Sequence, residues 1–575
     1  MSRHTAAHYF LEGLVESGIE YLFCNLGTDH VSIIEEIARW DQTNRPRPPV
    51  ITAPHEVVAV HMAGGYAIMT GRGQAVLVHV DAGTANAAMG MHNLCRGRVP
   101  VFLMAGRAPF TTRGEMIGSR DTYVHFIQDP YDIASIVRPY TKWEYCLPNG
   151  IVAKELLARG TAMMMSEPTG PVFMSLPRET LAEEIDEEKI RSYPPARYGA
   201  VMAGGAGPEV VAKVAAELMA ADNPVAFCGY IGRKPEAVAA LADLAMLAGL
   251  RVVSHYPVYM NFPADHPAFA GFEPGALLKE CDLGLLLDVD VPWVPTSHPH
   301  NEDTFFIHVD VDAAKRDLPI WNFPGDIRVQ GDCAIVLGQV AAAIRGMADD
   351  AYRARVAERI ASWEAPRIAR QRKLDSMAEQ AGAADTISVP YLMAELNKQL
   401  RPEDIVVNEA IRNGGHVQDF IDRTLPQTYI GFAGGGLGFS GGMALGVKLA
   451  RPENRVLQIV GDGSYHFGSP DAVYSVAQMH GLPIFTIVLD NRGWGAVKSS
   501  VNRVYPGGEA SKTDAFFSRL DKNAEIRRFE DVGKAFGAYG ERVSEPADVP
   551  AALARCLARI EAGQAAVLTV RVTPI

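Results

Sequence analysis

The sequence predicts an α/β protein built from three doubly wound parallel-sheet domains. Short β-branched runs recur along its 575 residues and stop abruptly at Gly, Asp and Asn turns, as buried parallel strands do at the carboxyl edge of a sheet. Stretches with helical spacing separate these runs, and that alternation marks a parallel sheet covered by helices. The chain is also too long for one core: at ~150 residues per domain it divides into three or four.

Residues 1–19 carry an apolar stripe at Phe10, Leu14 and Val15 with Glu12 and Glu16 between, which reads as an amphipathic helix and not a signal peptide. Residues 20–24 form a strand ending in Asn25-Leu26-Gly27-Thr28. A second strand at 49–53 ends in Pro54-His55-Glu56, and 57–70 continues as a helix of small residues. Residues 75–80 are a third strand, followed by a turn through Gly83, Thr84, Ala85 and Asn86; 99–105 is a fourth. The Pro-, Gly- and Ala-rich stretch 192–207 reads as a linker. Strands near 225–228, 251–254, 283–288 and 305–309 follow, then a charged helical connector. The expected domains are 1–190, 191–345 and 386–575, with 346–385 as a helical linker. The first and third share length and strand-turn-helix grammar, which suggests that they are relatives.

A net charge of −13 argues against a nucleic-acid binder, whose affinity rests on Lys and Arg against phosphates. Seven scattered cysteines without a CxxC pair read as the reduced thiols of a cytoplasmic protein. No apolar run approaches the ~18 residues of a membrane-spanning helix.

The most informative stretch is 456–495. A strand at 456–460 ends in Gly461-Asp462-Gly463, a helix at 471–479 follows, and a strand at 484–489 ends in Asp490-Asn491. Strand, helix, strand puts Asp462 and Asn491 at the same edge of neighbouring parallel strands, where open α/β sheets bind ligands. A carboxylate and an amide oxygen there suit a hard cation such as Mg2+, which takes few protein ligands and shares the rest with phosphate oxygens and water. A competing reading starts from Gly436-Leu437-Gly438-Phe439-Ser440-Gly441. This is a literal GxGxxG with Asp462 some twenty residues beyond it, the fingerprint of an NAD-dependent dehydrogenase. That reading leaves Gly463, Asn491 and Glu56 without roles.

Gly461-Asp462-Gly463, followed after a helix by Asn491, resembles the thiamine diphosphate (ThDP) motif of the decarboxylase and acetolactate synthase superfamily. HEVVAVHMAGGYAIMTG (55–71), HVDAGTANAAMG (79–90) and GGLGFSGGMALG (435–446) are similar to further blocks of that family, so the resemblance covers nearly the whole chain. It implies pyrimidine-binding, central and diphosphate-binding domains in that order. It also implies an enzyme that uses ThDP and Mg2+ to break or form a C–C bond beside the carbonyl of a 2-oxo acid or 2-hydroxyketone. The outcome is that of a benzoylformate decarboxylase-like lyase, an acetolactate synthase-type carboligase or a pyruvate oxidase-type enzyme with FAD. A homodimer or homotetramer is implied, Glu56 of one subunit facing Asp462 of the next. Outside catalysis the alternative is a ThDP-binding homologue without turnover, against which intact Glu56, Asp462 and Asn491 argue.

By the same resemblance Asp462, Asn491 and the backbone oxygen of Gly493 ligate Mg2+. Gly463 and Ser464 meet phosphate oxygens past a strand end, Ile411 and Arg412 add diphosphate contacts, and Gly435 lies against the cofactor. Gly83, Asn86 and Trp494 complete the cofactor-binding set. Glu56 is the activating residue: a buried carboxyl bonded to N1′ favours the 4′-imino tautomer that takes the C2 proton. Its plainer role is an acid at a helix start. Leu437 holds the large apolar position beneath the thiazolium, a role compatible with core packing. His79 matches the place of a catalytic histidine in benzoylformate decarboxylases and Thr28 that of a serine; a structural histidine is the bland alternative. Three features depart from the family. The Asp462-to-Asn491 spacing is slightly long, with HFGSP (466–470) as the expected insertion; Asp490 replaces an Asn; and VDVPWVPTS (289–297) leaves bound FAD open without supporting it.

Overall fold

The computed structural model describes residues 3–522 and 527–574. Its core is three all-parallel sheets. The first comprises β1 (Leu22–Cys24), β2 (Val50–Thr52), β3 (Gln74–Val78), β4 (Val101–Arg107), β5 (Glu144–Cys146) and β6 (Val172–Pro177), in spatial order 2-1-3-4-6-5. The central sheet comprises β7 (Pro224–Cys228), β8 (Arg251–Ser254), β9 (Leu283–Leu287), β10 (Phe305–Asp310) and β11 (Ile327–Gln330), in order 8-7-9-10-11. The third comprises β12 (Ile405–Glu409), β13 (Tyr429–Ile430), β14 (Val456–Gly461), β15 (Phe485–Asp490), β16 (Tyr539–Val543) and β17 (Ala566–Arg571), in order 13-12-14-15-17-16. The first and third sheets therefore have the same strand order, and each reverses direction between its first and third strands. That reversal opens a crevice at the carboxyl edge, the usual ligand site of a doubly wound sheet.

The strands are short apolar runs because both faces are covered. Val76, Leu77, Leu457, Ile459 and Ile487 have no exposed surface. Two charged helices, Asp350–Ser362 and Glu364–Ala378, connect the central and third sheets. The N-terminal helix spans Ala6–Glu16, and Met1 and Ser2 lie outside the described residues.

Two local expectations fail, both where small polar residues look like turns. The third strand stops at Val78, and Gly83 to Asn86 lie in helix α2 (Val80–Arg96), not in a turn. Gly83 is there because the helix runs close to the strand: an added Cβ would stand 3.0 Å from Val78 Cβ. Likewise Asp462 does not end a turn but opens a short helix, α4 (Asp462–Phe467). Ser469, in the left-handed conformation at φ 47, breaks it from α5 (Pro470–His480). The expected insertion 466–470 spans the end of α4, the break at Gly468 and Ser469, and the first residue of α5.

Helices α1 (Glu56–Thr70) and α3 (Ser440–Ala450) join the first and third domains. They meet through glycines. A Cβ on Gly65 would run into the Met443 carbonyl oxygen, and one on Gly446 into that of Met62. Backbone carbonyls cannot give way as a flexible side chain can, so overpacking here costs about 1–3 kcal/mol. Gly65→Ala is expected to lower the urea unfolding free energy by that amount, measured by circular dichroism.

Candidate active site

The expected residues gather into two clusters, one at the carboxyl edge of each six-stranded sheet. In the third sheet Gly461 pairs with Leu489, so Asp462 and Asp490 come next on adjacent strands. Both are buried. Burial pushes the Asp462 carboxyl up to about 7 and raises that of Asp490, against the pull of the Arg527 guanidinium on each. Arg527 Nη2 donates to Asp462 Oδ2 at 2.8 Å and also to Asp490 Oδ1. Asn491 is buried beside them; its Oδ1 accepts from the Gly493 N–H at 3.2 Å, and the Gly493 oxygen accepts from Gly495. Gly463 packs under the Trp494 ring, and Ser464 is buried next to it.

This donor set fits a magnesium diphosphate. Asp462 and Asp490 bring carboxylate oxygens and Asn491 an amide oxygen, while Arg527, with Arg542 and Arg571 also facing Asp490, brings positive charge for phosphate. Two buried N–H groups, Arg527 Nη1 and Trp494 Nε1, have no acceptor among the described residues. Gly461 has nothing within 4 Å of where a Cβ would stand, so the strand end opens on free space.

The loop carrying Gly435 and Leu437 is held from two domains. Glu409, fully buried and pushed up to about 7 by burial, accepts from the Gly438 N–H, from the Ser440 N–H at 2.9 Å and from Ser440 Oγ at 2.6 Å. From α2, His92 Nε2 accepts from the Gly435 N–H at 2.9 Å and Asn93 Nδ2 donates to the Gly436 oxygen at 2.9 Å. Leu437 is left half-buried and Gly435 exposed. Ile411 and Arg412 are exposed in the turn after β12, the other strand of the crevice. GxGxxG therefore follows β13, a two-residue edge strand, and not a strand at the reversal point. A dinucleotide fingerprint needs the latter.

In the first sheet Glu56 opens α1, but the helix is capped by His55, whose side chain accepts from the Val57 N–H. Glu56 is free for another task. It is buried, and its two oxygens accept from Asn25 Nδ2 at 2.9 Å and Asn86 Nδ2 at 3.0 Å. A Cβ on Gly83 would stand 3.2 Å from Glu56 Oε1. Among the described residues, no hydrogen bond or ion pair joins Glu56 to Asp462, Asp490 or Asn491, so the two half-sites, one at each sheet edge, are separate clusters of contacts.

His79 follows β3 at the reversal point of this sheet. Its Nδ1 lies 2.6 Å from Asp29 Oδ1 and its Nε2 3.1 Å from Gln128 Oε1. The Asp29 hydrogen bond raises the imidazole above its ordinary 6.5, with burial opposing. Burial pushes the Asp29 carboxyl up, but the hydrogen bond from His79 and the charges of His30 and His79 outweigh it and hold Asp29 low. Asp29 Oδ2 also accepts from the Val80 N–H at 3.2 Å, and Val80 sits at φ 31, a region costly for a β-branched residue. Gly27 permits the approach, since a Cβ there would run into the His79 ring. Thr28 Oγ1 lies 3.2 Å from Nε2 of His125, a buried imidazole pushed down by burial and by Arg178. The two imidazoles are thus driven in opposite directions, a pattern that separates acid from base.

Sequence reasoning missed Asn25, Asp29, His125, Gln128 and Arg527. No local signal announces them: His125 meets a residue 97 positions away, and Arg527 one 65 away. Because the folded state binds the His79 proton more tightly than the unfolded chain and holds Asp29 ionised, the pair stabilises fully between pH 3.8 and 6.5; its contribution is lost as pH rises through the raised His79 value or falls through the lowered Asp29 one. In Asp29→Asn the His79 titration followed by NMR is expected to fall to 6.5 or below, and this loss of stability with rising pH to disappear.

Three family models match in order: the N-terminal TPP binding domain of thiamine pyrophosphate enzymes over residues 4–136, their central domain over 211–340 and their C-terminal TPP binding domain over 413–570. The chain is 23% identical to an acetolactate synthase large subunit of Haemophilus influenzae, covering 96% of this chain and 92% of that one. It is 25% identical to a sulfoacetaldehyde acetyltransferase of Castellaniella defragrans, covering 96% and 90%. A ThDP-dependent 4-hydroxybenzoylformate decarboxylase of Rhodococcus jostii has the same fold at TM-score 0.78 and 20% identity, over the whole of both chains. A benzoylformate decarboxylase of Polynucleobacter necessarius does so at 0.79 and 19%, again over both whole chains. With all three domains matched over more than half its length, and a site that fits the cofactor's two ends, the chain belongs to the thiamine pyrophosphate enzymes.

Proposed function

We propose that this thiamine pyrophosphate enzyme is a Mg2+-dependent lyase that decarboxylates a 2-oxo acid, in the manner of benzoylformate decarboxylase. The observation that carries the reading is the His79–Asp29 pair, an imidazole whose proton a buried carboxylate holds, on the sheet edge that also bears Glu56. Decarboxylation ends with a proton delivered to carbon, whereas carboligation ends with attack on a second carbonyl. A resident acid serves the first.

Bound ThDP supplies an electron sink for the bond beside the substrate carbonyl. The chain does the rest. Asp462, Asn491 and the Gly493 oxygen would hold Mg2+; Gly463, Ser464, Ile411, Arg412 and Trp494 would hold the diphosphate, and Gly83 and Gly435 let the cofactor pass close. Leu437, on a loop that Glu409 fixes, would give the cofactor an apolar contact. Asn25 and Asn86 present the Glu56 carboxyl in one orientation to the cofactor's far end. His79 Nε2 carries the proton, and Thr28, oriented by His125, is a second polar group at that edge. The acetolactate synthase and acetyltransferase relatives favour a carboligase as second reading.

Flavin has no part in this reading; at the carboxyl edge of the central sheet the chain's own ions pair with one another. Arg98, from the first domain, reaches Asp288 at 3.2 Å, Asp290 at 2.9 Å and Asp310 at 3.0 Å, and Lys315 reaches Asp290 at 2.7 Å. A homodimer or homotetramer would unite the half-sites. Exposed apolar side chains beside each support it: Ile117, Tyr123 and Ile127 near His125, and Val497, Tyr505 and Phe517 near Trp494. No helix among the described residues is long and apolar enough to cross a membrane, and all seven cysteines are free, which supports a cytoplasmic setting.

Benzoylformate is expected to yield CO2 and benzaldehyde only with ThDP and Mg2+ present, and the purified protein to show no flavin band. Glu56→Gln should lower that turnover roughly 10²–10⁴-fold with the fold intact. His79→Ala should lower release of the protonated product more than release of CO2. Acetolactate formation from pyruvate that survives His79→Ala, with no benzaldehyde from benzoylformate, would make the enzyme a carboligase instead.

A further inference from the structure

Asp490 puts a second carboxylate where the family pattern has an amide, at the end of the site that must receive an anionic diphosphate. Left alone it would repel that ligand. It is not left alone: Arg527 lies between Asp490 and Asp462 and donates one Nη2 to both. The Arg527 side chain is 11% exposed, stacked 5.1 Å from the centre of the Phe529 ring, and its Nη1 is buried without an acceptor among the described residues. A desolvated guanidinium N–H with no partner costs about 1–3 kcal/mol, and native structures seldom keep one without use. The second unpartnered donor, Trp494 Nε1, belongs to the ring that covers Gly463, next in sequence to Asp462. Two spare donors and the open space at Gly461 meet at the same strand end.

Resting on the ThDP reading, we propose that Asp490 and Arg527 are a charge-compensating pair in the cofactor site. Arg527 offsets the charge that Asp490 adds beside Asp462, the Nη2 N–H bridging the two carboxylates, and gives its free Nη1 N–H to a diphosphate oxygen. A fork of N–H donors suits a phosphate better than a point charge does. Arg527 is in this way a cofactor-binding residue supplied from a distant part of the chain.

The test is a double-mutant cycle read by ThDP binding in saturating Mg2+, followed by tryptophan fluorescence and calorimetry on wild type, Asp490→Asn, Arg527→Met and the double variant. Arg527→Met should weaken binding roughly tenfold to a hundredfold, the worth of a charge-assisted hydrogen bond. Asp490→Asn should bind within about threefold of wild type, and the double variant at least about threefold tighter than Arg527→Met, because the uncompensated carboxylate is gone. Arg527→Lys, which keeps the charge but not the fork, should fall between wild type and Arg527→Met; its unfolding temperature without cofactor guards against a folding defect. Arg527→Met binding ThDP as well as or better than wild type would overturn the proposal, since Arg527 would then be a plug that the cofactor displaces. A double variant no tighter than Arg527→Met would overturn it too. Wild type that binds no ThDP would sink the family reading itself, which is a different failure.

Discussion

A carboxylate buried at the end of a parallel strand has to find a partner or lose its charge, and this protein's chemistry is arranged around that constraint. Each sheet meets it differently. Asp29 accepts a hydrogen bond from His79, Asp462 and Asp490 share Arg527, and the central sheet's Asp288 and Asp310 take Arg98. Glu409 takes no cation; it accepts three hydrogen bonds and has its carboxyl pushed up to about 7. Glu56 is held by two amides, donors that fix its position and bring no positive charge. The partner sets how each acid is held: against an imidazole, a shared guanidinium, an interdomain guanidinium, loop N–H and O–H donors, or two amides.

The repeated strand order places these acids. The first and third sheets reverse direction at equivalent strands, so each offers a crevice at its carboxyl edge. The glycine contact of α1 with α3 locks the two domains together within a chain. Helix α2 reaches both, giving Asn86 to Glu56 and, two turns on, His92 and Asn93 to the loop that carries Leu437.

Much of the site was legible because its residues sit at strand ends marked by glycine. Asp462, Asn491 and Glu56 lie where alternation of strand and helix puts them, and the small residues around Gly83 and Gly463 flag close approach. The same glycines misled locally. Gly83 and Gly463 look like turn residues but are helical, since a Cβ would collide with Val78 in one case and the Trp494 ring in the other. His125 and Asp29 carried no signal, because neither stands in a motif.

The sequence by itself determined the sheet class, the family and three of the acids, Glu56, Asp462 and Asp490, since strand ends and glycine spacing are local properties of the chain. Only the tertiary structure decided their partners. Asp490 looked like an unexplained departure in the sequence, and Arg527 gives it a counter-ion from across the domain. His79 looked like a lone histidine until Asp29 and Gln128 were found against its two nitrogens. Electrostatic pairing acts through space between residues far apart in the chain, and no pattern of neighbours records it.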